Sequence, residues 1–144
     1  MPPVWHQPPD AAALNTLHRA TACAALGITI TAVGDDWLEG TMPVDTRTCQ
    51  PFGLLHGGAT VLLAETLGSA AANACVDTTR FVAVGTEINA SHVRAARAGV
   101  VTGRATALHI GGRSQLWEIR ICDQGDNLIN VSRLTVTVLE RKSD

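Results

Sequence analysis

The chain has no tyrosine, and aromatic residues of every kind make up only 3% of its 144 positions. Nucleic-acid platforms need aromatic faces on which bases stack, so that class of function starts without its main tool. An excess of positive charge is missing too. A formal net charge of -2 gives no general attraction to phosphate backbones or anionic membranes. The four cysteines (Cys23, Cys49, Cys75, Cys122) are widely spaced, with no CxxC or Cys/His pattern to hold zinc. No uninterrupted apolar stretch reaches the length of a membrane span. Residues Met1 to Asp10 lack the basic start and apolar core of a signal peptide. GxSxG, HExxH, GxGxxG and a loop ending in GK[ST] are all absent, which removes the usual serine, zinc, dinucleotide and P-loop chemistries. These absences predict a cytoplasmic, reduced protein with no metal, no membrane and no nucleic acid among its partners.

What remains is the size of one domain. A hydrophobic fraction of 46% with 17% charged residues suits a globular core. Four prolines in Met1 to Pro9 read as a flexible tail over residues 1–10, the domain itself as 11–140, and 141–144 as a C-terminal tail. Asp10 can cap a first helix, Ala11 to about Ala25, with Gly27 placed to end it. Ile28 to Val33 has strand composition. Trp37 to Val44 alternates, with Leu38, Gly40 and Met42 on one side. Four further strands are expected at Phe81 to His92, Val100 to His109, Ser114 to Cys122 and Leu128 to Leu139. Gly111-Gly112 and Asp123 to Asp126 read as hairpin turns.

Between the two groups of strands lies Gly57 to Val76, rich in Ala and Leu and free of proline. It predicts a long, almost wholly buried helix, with Leu63, Leu67, Ala70 and Ala74 facing the sheet. The order of elements therefore implies an α+β fold, an antiparallel sheet wrapped around one long central helix.

Glu65 is the only formally charged residue from Phe52 to Val76. Gly58, Val61, Ser69 and Ala72 lie within roughly 40° of it on a helical projection, so it emerges from a face of small side chains. A carboxylate buried without partners is costly, and its presence signals either a structural pair or chemistry. Upstream, Gln50 to Gly58 leads into the helix. The first-turn amides of Gly57 and Gly58 are potential donors to an oxyanion.

The run QPFGLLHGGATVLLAETLGSAAANAC, together with VGTEINASHVRAAR and HIGGRSQLWEI, resembles the hotdog-fold aromatic acyl-CoA thioesterases. It is most like the bacterial group acting on 1,4-dihydroxy-2-naphthoyl-CoA in menaquinone biosynthesis. The likeness extends from about Leu14 to Glu140. It implies a hotdog fold and hydrolysis of acyl-CoA thioesters without a cofactor, coenzyme A being part of the substrate. It also implies Glu65 as general base or nucleophile, Gly57 N–H as the group polarising the thioester carbonyl, and His56 preceding it. Gln50 would lie near the thioester, with Ser69 contributed from a partner subunit. His92 would line the acyl pocket. Arg94, Arg97 and the turn Gly111, Gly112, Arg113 and Ser114 would serve coenzyme A. The assembly implied is a homodimer with interfacial active sites, paired into a homotetramer. Broader acyl-CoA thioesterase activity, an acyl-CoA hydratase or dehydratase using His56 with Glu65, and a non-catalytic acyl-CoA-binding protein remain as alternatives.

Overall fold

A computed structural model describes residues 2–143. Two short helices, α1 (Ala11–Leu17) and α2 (Ala22–Ala25), precede β1 (Thr29–Val33) and β2 (Trp37–Pro43). The long helix α3 (Gly57–Ala74) follows. Then come β3 (Phe81–His92), β4 (Val100–Ile110), β5 (Ser114–Cys122) and β6 (Leu128–Glu140). All six strands join one antiparallel sheet in the order β1-β2-β4-β5-β6-β3.

Alternation decides which face of that sheet is covered. Along β5, Gln115, Trp117, Ile119 and Ile121 are buried while their neighbours are not. Along β2 the buried set is Leu38, Gly40 and Met42. Helix α3 lies on this face. Its Leu63 and Leu67 are fully buried, each contributing about 1.5–3 kcal/mol of burial. Leu67 fills a socket formed by two cross-strand glycines, Gly40 and Gly103. A Cβ at either would come within 2.8 Å of a Leu67 methyl, so side chains there would hold the helix off the sheet. The end of α3 is tied down by polar groups. Gln115 donates to the Ala72 carbonyl at 3.2 Å, and Asn73 exchanges two 3.0 Å hydrogen bonds with the Ala83 backbone.

Three expectations need correction. The first helix is two helices, because Ala20 adopts a left-handed backbone (φ 57) and Thr21 then caps α2 by accepting from Cys23 N–H. The N-terminal residues are not a loose tail over residues 4–7. Val4 N–H donates to Asp35, His6 and Gln7 N–H to Ala74, and Trp5 stacks on Trp117 at 6.1 Å while donating to the Gly34 carbonyl at 2.8 Å. Burial of the indole against Trp117 outweighs the flexibility that the prolines suggested. The calls on Met1 and Asp144 as tail residues lie outside the described residues.

Helix α3 is also not wholly buried. Its sheet face is Leu63, Ala64, Leu67, Gly68 and Ala71, while Ala70 and Ala74 are only half-buried. The opposite side, carrying Val61, Leu62, Glu65, Thr66 and Ser69, is open along a groove.

Candidate active site

Everything at the start of α3 is held by backbone pairing of the preceding loop. Leu55 N–H donates to Ala96 and His56 N–H to Thr48, both at 2.8 Å, and an isolated bridge joins Cys49 to Leu55. His56 has extended backbone angles and acts as the helix cap: its Nδ1 accepts from Gly58 N–H at 2.8 Å. This corrects the expectation of two free amides, since the imidazole already uses that of Gly58. Gly57, the first residue of α3, has no intrahelical acceptor for its N–H and no other hydrogen-bond partner among the described residues. Of the two glycine amides, only that of Gly57 is left without a partner, at the positive end of the helix dipole.

That donor borders a pocket of about 420 Å³ lined by Gln50, Leu54, Gly57, Thr60, His92 and Arg94. Gln50 is bent so that its Oε1 accepts from Phe52 N–H, which leaves its amide NH2 as the free end. His92 reaches across from β3 and lies over the helix start. A Cβ placed on Gly57 would come within 2.9 Å of His92 Nε2, so glycine is what permits the imidazole to sit there. Behind it, the buried Asn130 approaches His92 Nδ1 at 3.2 Å and accepts from Ser132 Oγ at 2.7 Å. Neither Asn130 nor Ser132 emerged from the sequence. The available signal was two polar residues on the inward positions of a strand that continues with Leu134 and Val136.

Glu65 lies elsewhere on the same helix. It lines the open groove of about 440 Å³ with Gly58, Val61, Leu62, Thr66 and Ser69. Its side chain is half-buried, with no cation partner among the described residues. Oε1 rests over Gly85 of β3, where an added Cβ would be 2.9 Å from the carboxylate oxygen. Gly85→Ala is therefore expected to displace the carboxylate and to crowd Leu134, whose Cδ1 would be 3.2 Å away. A stability loss of about 1–3 kcal/mol by overpacking should accompany a fall in any Glu65-dependent turnover. Thermal melting and steady-state kinetics on one preparation check both.

The structure thus divides the expected catalytic and acyl-pocket residues between two surfaces. Gln50, Gly57 and His92 share the pocket, while Glu65 and Ser69 share the groove. Eight residues at 1.5 Å each place Glu65 about 12 Å along the axis from Gly57. His56 and Glu65 are further apart still, and the cap role of His56 occupies its Nδ1, so no His–Glu pair forms within one chain.

The arginine set divides as well. Arg94 borders the pocket, and Arg97 is exposed on the same connection before β4. Gly111, Gly112, Arg113 and Ser114 lie at the other end of β4, about 33 Å away at strand rise, so the two clusters of one chain are far apart. Arg104 is engaged already, pairing with Glu39 at 2.7 Å and stacking over Trp37 at 4.0 Å. Burial pushes the Cys75 thiol up to about 12, which removes it as a nucleophile near neutral pH.

An orphan amide at a helix start, a carboxylate on an open groove and a pocket between strand and helix suit attack on a carbonyl. Known proteins agree with that chemistry. Residues 52–130 match the family described as "Thioesterase superfamily". The 1,4-dihydroxy-2-naphthoyl-CoA hydrolase of Escherichia coli is 48% identical, over 94% of this chain and 99% of that protein. A proofreading thioesterase of Cronobacter sakazakii is 50% identical, over 94% of this chain and 98% of its own. The crystal structure of a thioesterase from Pseudomonas aeruginosa, in a glutamine-to-alanine variant, superimposes with a TM-score of 0.94 at 44% identity. It covers 96% of this chain and 99% of that one.

Proposed function

The chain belongs to the thioesterase superfamily, a hotdog-fold thioester hydrolase, and on that premise we propose that its acyl-CoA substrate carries an aromatic acyl group such as 1,4-dihydroxy-2-naphthoyl. The observation that carries the reading is the unpartnered Gly57 N–H at the edge of the pocket lined by Gln50 and His92. A thioester carbonyl placed against that amide gains a donor that strengthens as negative charge develops on oxygen, an effect worth about 2.7–4 kcal/mol when preorganised. The acyl ring extends toward Leu54 and His92, and Gln50 presents its NH2 near the thioester.

Glu65 drives the attack, either as general base toward water or as the nucleophile itself. Since the carboxylate of the same chain is two helical turns from Gly57, the working unit is a homodimer with α3 against α3. Each site then combines Gly57, Gln50 and His92 of one chain with Glu65 and Ser69 of the other. Water, giving its proton to Glu65, or Glu65 itself adds to the carbonyl carbon, the C–S bond breaks, and coenzyme A leaves as a thiolate that takes up a proton. Where Glu65 adds, water then cleaves the anhydride to the free acid and the Glu65 carboxylate. No cofactor is needed. Label left in Glu65 after a single turnover in heavy-oxygen water is the signature of an anhydride opened by water at the Glu65 carboxyl carbon, because general-base catalysis puts the water oxygen only into the product acid. Arg94 and Arg97 are the phosphate contacts of this reading, and the Gly111 to Ser114 turn reaches coenzyme A from a further subunit in a pair of dimers. Four unpaired thiols suit the cytoplasm, where acyl-CoA is found.

Initial rates with 1,4-dihydroxy-2-naphthoyl, 4-hydroxybenzoyl, phenylacetyl and medium-chain acyl-CoA test the substrate class. The expected order puts the aromatic esters at least ten-fold above the aliphatic ones in kcat/KM, about 1.4 kcal/mol of discrimination. A strong preference for aliphatic chains would overturn it.

A further inference from the structure

His92 and Asn130 are directly opposed on the neighbouring strands β3 and β6. The Asn130 side chain, fully buried, is held from both ends. Ser132 Oγ meets its Oδ1 at 2.7 Å, and its Nδ2 stands 3.2 Å from His92 Nδ1. Ser132 is fully buried as well, and the amide oxygen is the acceptor for its hydroxyl proton. Turning the amide over would face NH2 toward the hydroxyl and strand that proton in a dry interior. The amide therefore keeps its NH2 toward the imidazole, and Nδ1 must accept. In the neutral ring the proton is then on Nε2. Nε2 is the atom that lies against Gly57.

We propose that Asn130 and Ser132 are positioning residues that fix His92 as the Nε2–H tautomer, giving the pocket a second donor to the thioester carbonyl oxygen beside Gly57 N–H. The proposal rests on the pocket being the carbonyl site. Without the chain from Ser132, an imidazole at this place could as readily present a lone pair, which would repel the developing oxyanion. The cross-strand pairing explains why a histidine on an edge strand can have a defined tautomer at all: its partner is rigid and buried, although the ring itself is exposed.

Nitrogen NMR of the full-length protein labelled in histidine, recorded at alkaline pH where imidazole is neutral, reads the tautomer without substrate. The His92 signal is assigned by its loss in His92→Gln. Wild type is expected to show Nδ1 bare and Nε2 protonated. In Asn130→Asp the carboxylate accepts only, so Nδ1 gains the proton. The kcat on an aromatic acyl-CoA should then fall about 10–100-fold with KM little changed, the pattern of a lost transition-state donor. Ser132→Ala frees the amide to rotate, and should show a mixture of tautomers with a proportionate loss of kcat. It decides the matter alone if Asn130→Asp does not fold. His92→Gln, which keeps an N–H, should retain more kcat than His92→Leu. Unchanged His92 spectra in the folded variants, or a changed tautomer with wild-type kcat, overturn the proposal. A wild-type protein inert toward every acyl-CoA would overturn the functional reading instead, and the substrate-free spectrum tells the two failures apart.

Discussion

Glu65→Ala is expected to lower kcat for aromatic acyl-CoA hydrolysis by about 10²–10⁴-fold, the range lost with a positioned base, while the protein folds as before. The structural half of that expectation comes from what Glu65 does not do. It is half-buried on an open groove and has no cation partner among the described residues, so its removal leaves no buried charge unpaired. Substitutions of that kind shift stability by about 0.5 kcal/mol or less. The catalytic half follows from the surroundings: Gly58, Val61, Leu62, Thr66 and Ser69 supply no other group able to accept a proton near neutral pH. Glu65→Gln preserves size and hydrogen bonding but not the basic oxygen, and should be as inactive as alanine. Glu65→Asp shortens the reach and should be intermediate. Wild-type turnover in the alanine variant would remove Glu65 from the mechanism.

How much of this was legible beforehand depended on the range of the interaction. The strands were readable because each records its environment locally: Trp117, Ile119 and Ile121 alternate with Glu118 and Arg120, and β3 and β5 have the expected bounds. The break in the first helix was harder. Ala20 carries no mark of a left-handed residue, and the Thr21 cap becomes evident only once the backbone turns there. Trp5 was beyond reach, since its partner is more than a hundred residues away on β5. At the site, Glu65 and Gly57 were visible from sequence, one as an isolated charge and the other as a glycine at a helix start. Their distance from one another follows from helix geometry alone. Asn130 and Ser132 went unseen because a buried polar pair becomes informative only once its facing partner, His92, is known.

The open side of α3 was misjudged for a related reason. Its apolar composition implies an almost wholly buried helix, whereas the single chain leaves Val61, Leu62 and Thr66 along a groove, on the small-residue face from which Glu65 emerges. The strand alongside, β3, is an edge of the sheet, twelve residues with one row of backbone groups unpaired. Both features fit a surface that a second copy completes.

That fit makes the position of the symmetry axis predictable. If two α3 helices lie antiparallel so that Glu65 of one meets Gly57 of the other, the two-fold axis passes beside the residue midway between them, Val61. Residues on the axis face their own copies. Val61→Arg would set two guanidinium groups against each other across a small-residue seam, a like-charge contact that must be desolvated to form. Within a single chain Val61 faces the open groove, so the substitution should leave the subunit folded. The expected result is a folded monomer or a weakened dimer by analytical ultracentrifugation, with turnover reduced to the level of Glu65→Ala. Mixing that variant with Val61→Asp tests the axis directly. Opposite charges at the same point should restore both association and hydrolysis in the heterodimer, while each variant alone stays inactive. A Val61→Arg protein that still dimerises and hydrolyses at the wild-type rate would move the axis away from Val61, and with it the shared site between Gly57 and Glu65.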